Sequence, residues 1–220
     1  MTGERIPVKI LAVQQIGGIS PALGKELGLA PHQKAIGILT TDCDDATYLA
    51  LDEATKAADV EVVYAKSFYA GAGNASTRLA GEVIGILAGR SPAEVQSGLT
   101  AAVNALENIG FCTANDEGDI VYLAHCVSAT GSYLSSLANV PQGQALAYLI
   151  APPAEAIMGL DAALKAADVE MAVFFPPPSE TNFAGGLLTG SQSACRAACE
   201  AFRTAVEQVA AQSQGGSLWN

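Results

Sequence analysis

Basic residues are in short supply in this chain. Lys and Arg together number 11 against 22 Asp and Glu, a net charge of −11. That balance argues against nucleic acid and other phosphate polyanions as partners and suits small cations. Long apolar runs are missing as well: each hydrophobic stretch meets a charge, Pro or Gly well before the roughly 20 residues a spanning helix needs. Met1 to Lys9 carries Glu4, Arg5 and Lys9 without a hydrophobic signal core, so a soluble, cytoplasmic chain with no membrane partner is expected. Aromatic residues make up only 6% of the chain, which predicts a core of small side chains and close approach of its elements. The dinucleotide and P-loop glycine patterns do not occur, since GILAG and LLTGSQS fall short of both.

Catalytic and metal signatures are equally thin. The chain has two histidines, His32 and His125, far apart in sequence. Its five cysteines, Cys43, Cys112, Cys126, Cys195 and Cys199, are an odd number in a chain without a secretory signal, so reduced thiols are expected. Cys195 and Cys199 share one helix face in an Ala-rich segment, which reads as helix packing rather than metal ligation. Three aspartates beside Cys43 raise its thiol pKa, the wrong direction for a nucleophile. No base–nucleophile pair is visible. The expectation is therefore no catalytic residue, no metal and no cofactor.

What the chain does contain is a duplication. Residues 51–63 (LDEATKAADVEVV) and 160–172 (LDAALKAADVEMA) match at nine of thirteen positions at a constant offset of 109. ILAGRSPAEVQSGL from Ile86 is answered by LLTGSQSACRAACE from Leu187, and KILAVQQI from Lys9 more faintly by DIVYLAHCV from Asp119. Two domains of about 110 residues, within the usual size range, are expected. Their boundaries are placed at 1–113 and 114–220, near the aperiodic FCTANDEG.

Each half reads as the same succession of strands and helices. In the first, strands are expected at Pro7–Ile16, Ala35–Thr40, Val60–Ala65 and Glu82–Ala88. Helices are expected at Ser20–Leu27, Asp45–Ala58 and Ser91–Asn108, with Ser20 and Ser91 capping ahead of proline. Such alternation implies an α/β (α+β) sandwich with helices on one face of each sheet. The halves differ most in one loop: SFYAGAGNAST in the first, FFPPPSETNF in the second. Gly71, Gly73 and Asn74 rearrange cheaply, whereas three consecutive prolines hold a rigid extended course.

The segments TTDCDDATYLALDEATKAADVEVVYAKSFYAGAGNAS, GEVIGILAG, GSYLSS, AYLIAPP, AADVEM, PPPSETNF and LLTGSQSACRAAC resemble bacterial microcompartment shell proteins of the ethanolamine-utilisation, EutL type. The resemblance runs from about Val8 to Val209. It implies two tandem circularly permuted, ferredoxin-like microcompartment domains and a homotrimer that forms a pseudohexameric tile beside other shell proteins. It further implies a central pore gated by a moving loop and a smaller pore within each subunit, in a shell inside the cytoplasm.

Two candidate sites follow. Ser67–Thr77 is expected to be the pore gate, with Phe68 and Tyr69 as plugs and Gly71, Gly73 and Asn74 as its flexible points. Carried over residue by residue, the family's small-pore site for ethanolamine falls on Asp44, Asp45, Glu82, Phe111, Thr181, Asn182 and Phe183. Carboxylates suit the ammonium group, polar side chains the hydroxyl, and phenyl rings the methylenes. Asp44 also reads as the N-cap of its helix and Asp45 as a favourable charge on the helix dipole, roles compatible with amine binding. No residue pattern argues for or against cobalamin. The competing reading is a trimeric small-molecule-binding regulator of similar fold. Its phosphate-bearing effectors would call for Lys and Arg clusters that this chain lacks.

Overall fold

The structure, a computed structural model, describes residues 1–68, 82–177 and 182–213. The chain folds as two compact units that exchange short segments. The first comprises Pro7–Gly110 with Thr130–Leu137, and the second Met1–Ile6, Phe111–Ala129 and Ala138–Asn220.

In the first unit the order is β1 (Ile10–Ile16), α1 (Pro21–Glu26), β2 (Ala35–Thr41), α2 (Asp44–Ala57), β3 (Val60–Phe68), β4 (Glu82–Gly89) and α3 (Pro92–Leu106). The strands pair antiparallel in the order β1-β2-β4-β3. Alternation along β2 and β4 sends Gly37 and Gly85 toward α3 and α2. A Cβ on Gly37 would meet Leu99 and Val95 of α3, and one on Gly85 would meet Leu51 of α2. Helices therefore lie close on that face, through residues too small to hold them off. On the opposite face Ile36, Ile86 and Ala88 form a second apolar cluster with Ile19, Leu27 and Leu29 against it. Ser20 and Ser91 cap α1 and α3, and Ser91 forms a reciprocal capping box with Glu94.

The second unit repeats the plan. Its elements are β5 (Cys112–Thr113), β6 (Val121–Val127), β7 (Ala145–Ala151), α5 (Pro153–Ala166), β8 (Val169–Phe175), β9 (Ala184–Gly190) and α6 (Gln192–Ser213). Strand order is β5-β6-β7-β9-β8, so β6, β7, β9 and β8 stand for β1, β2, β4 and β3. The correspondence reaches single residues. A register shift between Val62 and Tyr64 on β3 recurs between Met171 and Val173 on β8, at the same offset of 109. The two non-identical residues at the end of the small helices, Gly28 and Asn139, both take positive φ, 67° and 53°. Tyr122, Leu149, Leu188, Cys195, Cys199 and Phe202 contribute to the apolar core of this unit, and Cys195 and Cys199 pack there as expected.

The helix α4 (Ser132–Ala138) falls between β6 and β7 in sequence, yet residues 130–137 belong to the first unit. Its anchor is Asp52 on α2. The Asp52 carboxylate accepts the Gly131 N–H at 2.7 Å and the Leu134 N–H at 2.8 Å, while Thr55 Oγ1 accepts the Ser132 N–H at 3.0 Å. The Tyr48 and Tyr133 rings meet at 6.2 Å. Ser135, one of the GSYLSS serines, is buried and donates to the Gly131 carbonyl. Gly131 has to be glycine at this contact, because a Cβ would lie 2.6 Å from the Asp52 carbonyl oxygen. Among the described residues no helix is long and apolar enough to cross a membrane.

Candidate functional site

The carboxylate set forms where β2 gives way to α2. Thr41 ends the strand, and its hydroxyl accepts the Cys43 N–H at 3.1 Å and lies 2.7 Å from the Thr47 hydroxyl. Thr47 in turn donates to the Cys43 carbonyl at 2.8 Å. This buried hydroxyl pair fixes the turn through Cys43. It also corrects one expectation: the N-cap is Cys43, with no side-chain cap bond, and Asp44 is the first helical residue. The Asp44 carboxylate accepts the neighbouring Asp45 N–H at 2.9 Å instead. Asp44 and Asp45 do occupy the first turn, where the helix dipole favours negative charge.

Asp42, Asp44 and Asp45 are all buried, an unusual state for three successive acids around one cysteine. Asp42 is tied to the start of β1, accepting the Lys9 N–H at 2.8 Å and donating its own N–H to the Lys9 carbonyl at 3.1 Å. Burial raises the Asp42 pKa above the ordinary carboxylate value, the Lys9 N–H and ammonium oppose that, and the charge of Glu82 adds to it. Burial likewise pushes the Cys43 thiol well up, with Asp45, Asp44 and Asp42 contributing in the same direction. Cys43 is thus an inert core thiol. Glu82 opens β4, paired with Phe68 at the end of β3. Asp44, Asp45 and Glu82 therefore belong to one unit, and Asp42 joins them as a fourth acid. The sequence displayed Asp42 in the run TDCDD, but only its tie to Lys9 shows how it is held.

The aromatic members belong to the second unit. Phe111 is fully buried and Phe183 nearly so, and their rings meet at 5.4 Å with 49° between planes. The Phe111 carbonyl accepts the Ile6 N–H at 2.7 Å, so the N-terminal segment fixes this ring's backbone. Asn182, just ahead of Phe183, is exposed. Thr181 lies outside the described residues, as do Tyr69, Gly71, Gly73 and Asn74 of the expected gate; of Phe68 only the backbone is described, closing β3. Among the described residues no group of three or more His, Cys, Asp or Glu could hold a metal ion.

Chemically, the first-unit cluster concentrates negative charge at a helix start with Lys9 as the cation that bears on Asp42. Such a cluster lowers the free energy of a small cation brought to it. A phenyl pair such as Phe111 and Phe183 offers apolar surface and no charge.

Residues 35–116 match the family model described as the BMC domain. The bacterial microcompartment shell protein EutL of Clostridium perfringens (strain 13 / Type A) is 62% identical over 216 residues, covering 98% of this chain and 100% of that protein. The crystal structure of ethanolamine utilization protein EutL from Leptotrichia buccalis C-1013-b is 60% identical with a TM-score of 0.92, covering 98% of this chain and 100% of that one. A trimeric bacterial microcompartment shell protein, PduB, shares the fold at 20% identity, with a TM-score of 0.74 over 93% of this chain and 89% of its own.

Proposed function

The chain belongs to the EutL family of bacterial microcompartment shell proteins, and from that premise we propose that three copies build a wall tile whose acidic openings bind and pass ethanolamine. It is a structural component of the microcompartment shell. The homotrimer rests on the trimeric state given for PduB and on the duplicated chain, since three two-domain chains supply six like units to a closed ring. The substrate rests on the name of the Leptotrichia relative and on the acid cluster. The role is one of passage and enclosure, without catalysis.

The observation that carries this reading is the burial of Asp44 and Asp45 side by side at the start of α2. Two adjacent carboxylates in the first turn of a helix concentrate negative charge, and a primary ammonium ion is drawn to such charge and held by charge-assisted hydrogen bonds. Glu82 supplies further negative charge, Phe111 and Phe183 the apolar wall, and Thr181 and Asn182 the polar groups for the hydroxyl. Phe68, Tyr69, Gly71, Gly73 and Asn74 form the gate of a central pore, a role that rests on their composition.

Titration calorimetry with ethanolamine tests the site. Asp44→Asn and Asp45→Asn are each expected to weaken binding by about tenfold or more, the loss of one charge-assisted bond. Propanol, which lacks the ammonium group, is expected not to bind. Equal affinity of wild type and both variants would remove these carboxylates from the site.

A further inference from the structure

The end of the first unit that carries the acids holds one further polar group. Antiparallel pairing sets Ser67 of β3 and Thr41 of β2 opposite Val83 of β4, one on either side of it. Residues paired in this way point to the same face of a sheet. That face is the one under the helices, because at Gly85, two residues along β4 from Val83, a Cβ would meet Leu51 of α2. Thr41 agrees, since its hydroxyl bonds Cys43 and Thr47 at the turn into α2. Chain direction brings the last residues of β2 and β3, the first of β4 and the first turn of α2 to one end of the unit. Ser67, Asp44, Asp45 and Glu82 all stand there.

Ser67 differs from Thr41 on the same row in one respect. Its hydroxyl oxygen is closed off from solvent and meets no hydrogen-bond partner among the described residues. Keeping a hydroxyl in that state costs free energy that an apolar side chain would not. The second unit supplies an internal control. At the offset of 109, Asp44 and Asp45 become Pro153 and Ala154, and Ser67 becomes Pro176. Aligning Ile86 with Leu187 turns Glu82 into Phe183. The same strands and helix form in that unit without any of these polar groups. The fold does not require the Ser67 hydroxyl, and the hydroxyl is present only in the repeat that has the acids.

We propose that the Ser67 hydroxyl is a ligand-binding group of this acidic end, accepting a hydrogen bond from the primary ammonium ion that Asp44 and Asp45 draw in. A primary ammonium carries three N–H donors, so two carboxylates leave one donor over, and a serine oxygen has two lone pairs to accept it. A neutral acceptor completes the set without adding another charge to crowded carboxylates. Methylation of the nitrogen removes donors and leaves the hydroxyl unsatisfied again, so the contact selects primary amines. This assignment rests on the ethanolamine reading of the preceding subsection and names one more residue of that site.

Ser67→Ala tests it, compared with wild type by titration calorimetry with ethanolamine and by thermal unfolding without ligand. Affinity is expected to fall about tenfold, the loss of one hydrogen bond to a charged group. The melting temperature of the ligand-free protein is expected to stay level or rise, because alanine removes a buried hydroxyl that bonds nothing. Ethylamine, which keeps the ammonium group alone, is expected to show the same ratio between wild type and variant. A wild type that does not bind ethanolamine overturns the ethanolamine reading and this assignment together. Binding that is weakened by Asp45→Asn and untouched by Ser67→Ala overturns this assignment alone. A Ser67→Ala protein that melts several degrees lower, or fails to fold, shows the hydroxyl serving the fold and overturns it as well. A loss for ethanolamine with none for ethylamine moves Ser67 to the alcohol end of the ligand and overturns the ammonium contact.

Discussion

Replacing Asp52 by Asn should detach α4 from its seat without altering the size of any side chain. The wild-type carboxylate takes two backbone N–H groups, at 2.7 and 2.8 Å, and Lys56 lies 3.8 Å from it. Asparagine keeps one acceptor oxygen and turns an NH2 toward the other amide. One charge-assisted bond is lost, worth about 1.5–3 kcal/mol, and a buried N–H is left unsatisfied at a cost of about 1–3 kcal/mol. Part of that is returned, because burial already penalises the Asp52 charge and raises its pKa, and the amide carries no charge to bury. The net loss should be about 2–4 kcal/mol, seen as a fall of about 1–2 M in urea midpoint at a slope near ~2 kcal/mol/M. Glu200→Gln is the control: its partner Arg203 is 2.7 Å away, but both side chains are largely exposed, so a change within ~0.5 kcal/mol is expected. Unfolding followed by circular dichroism at two protein concentrations separates folding from association. An Asp52→Asn variant as stable as the control would refute the claim that this carboxylate holds α4.

Two further outcomes follow from single residues. Gly185→Ala should cost about 3 kcal/mol or more, or abolish soluble expression, because a Cβ there would run into the Leu149 carbonyl oxygen across the β7–β9 ladder; a melting temperature equal to wild type contradicts that packing. Asp42 has a folded pKa above its unfolded value through burial, so the native state binds more protons in the window between the two, and its contribution to stability is lost as pH rises through that window. Asp42→Asn should therefore flatten the stability profile upward from about pH 4, the ordinary carboxylate value, and parallel profiles for variant and wild type would count against it.

The element order was legible because the chain states it twice. Nine matches in thirteen residues align α2 with α5, and Ser-Pro dipeptides mark the starts of α1 and α3. Boundaries slipped where pairing decided them. The strand expected to end at Ala65 continues to Phe68, because β4 opposes it as far as Glu82. The strand expected from Pro7 begins at Ile10, because Lys9 spends its N–H and carbonyl on Asp42 rather than on the ladder. The acid cluster was legible from density alone, but its cap was not: three aspartates compete at one helix start, and the Thr41–Thr47 hydroxyl pair, six residues apart, settles the turn. Family resemblance put Phe111 and Phe183 in one candidate site, but their ring contact was not legible, since no local spacing joins two residues so distant in sequence. Asp52 gave no signal. With Lys56 at i+4 it looks like any exposed helix pair, and its twin Asp161 with Lys165 is one within the single chain.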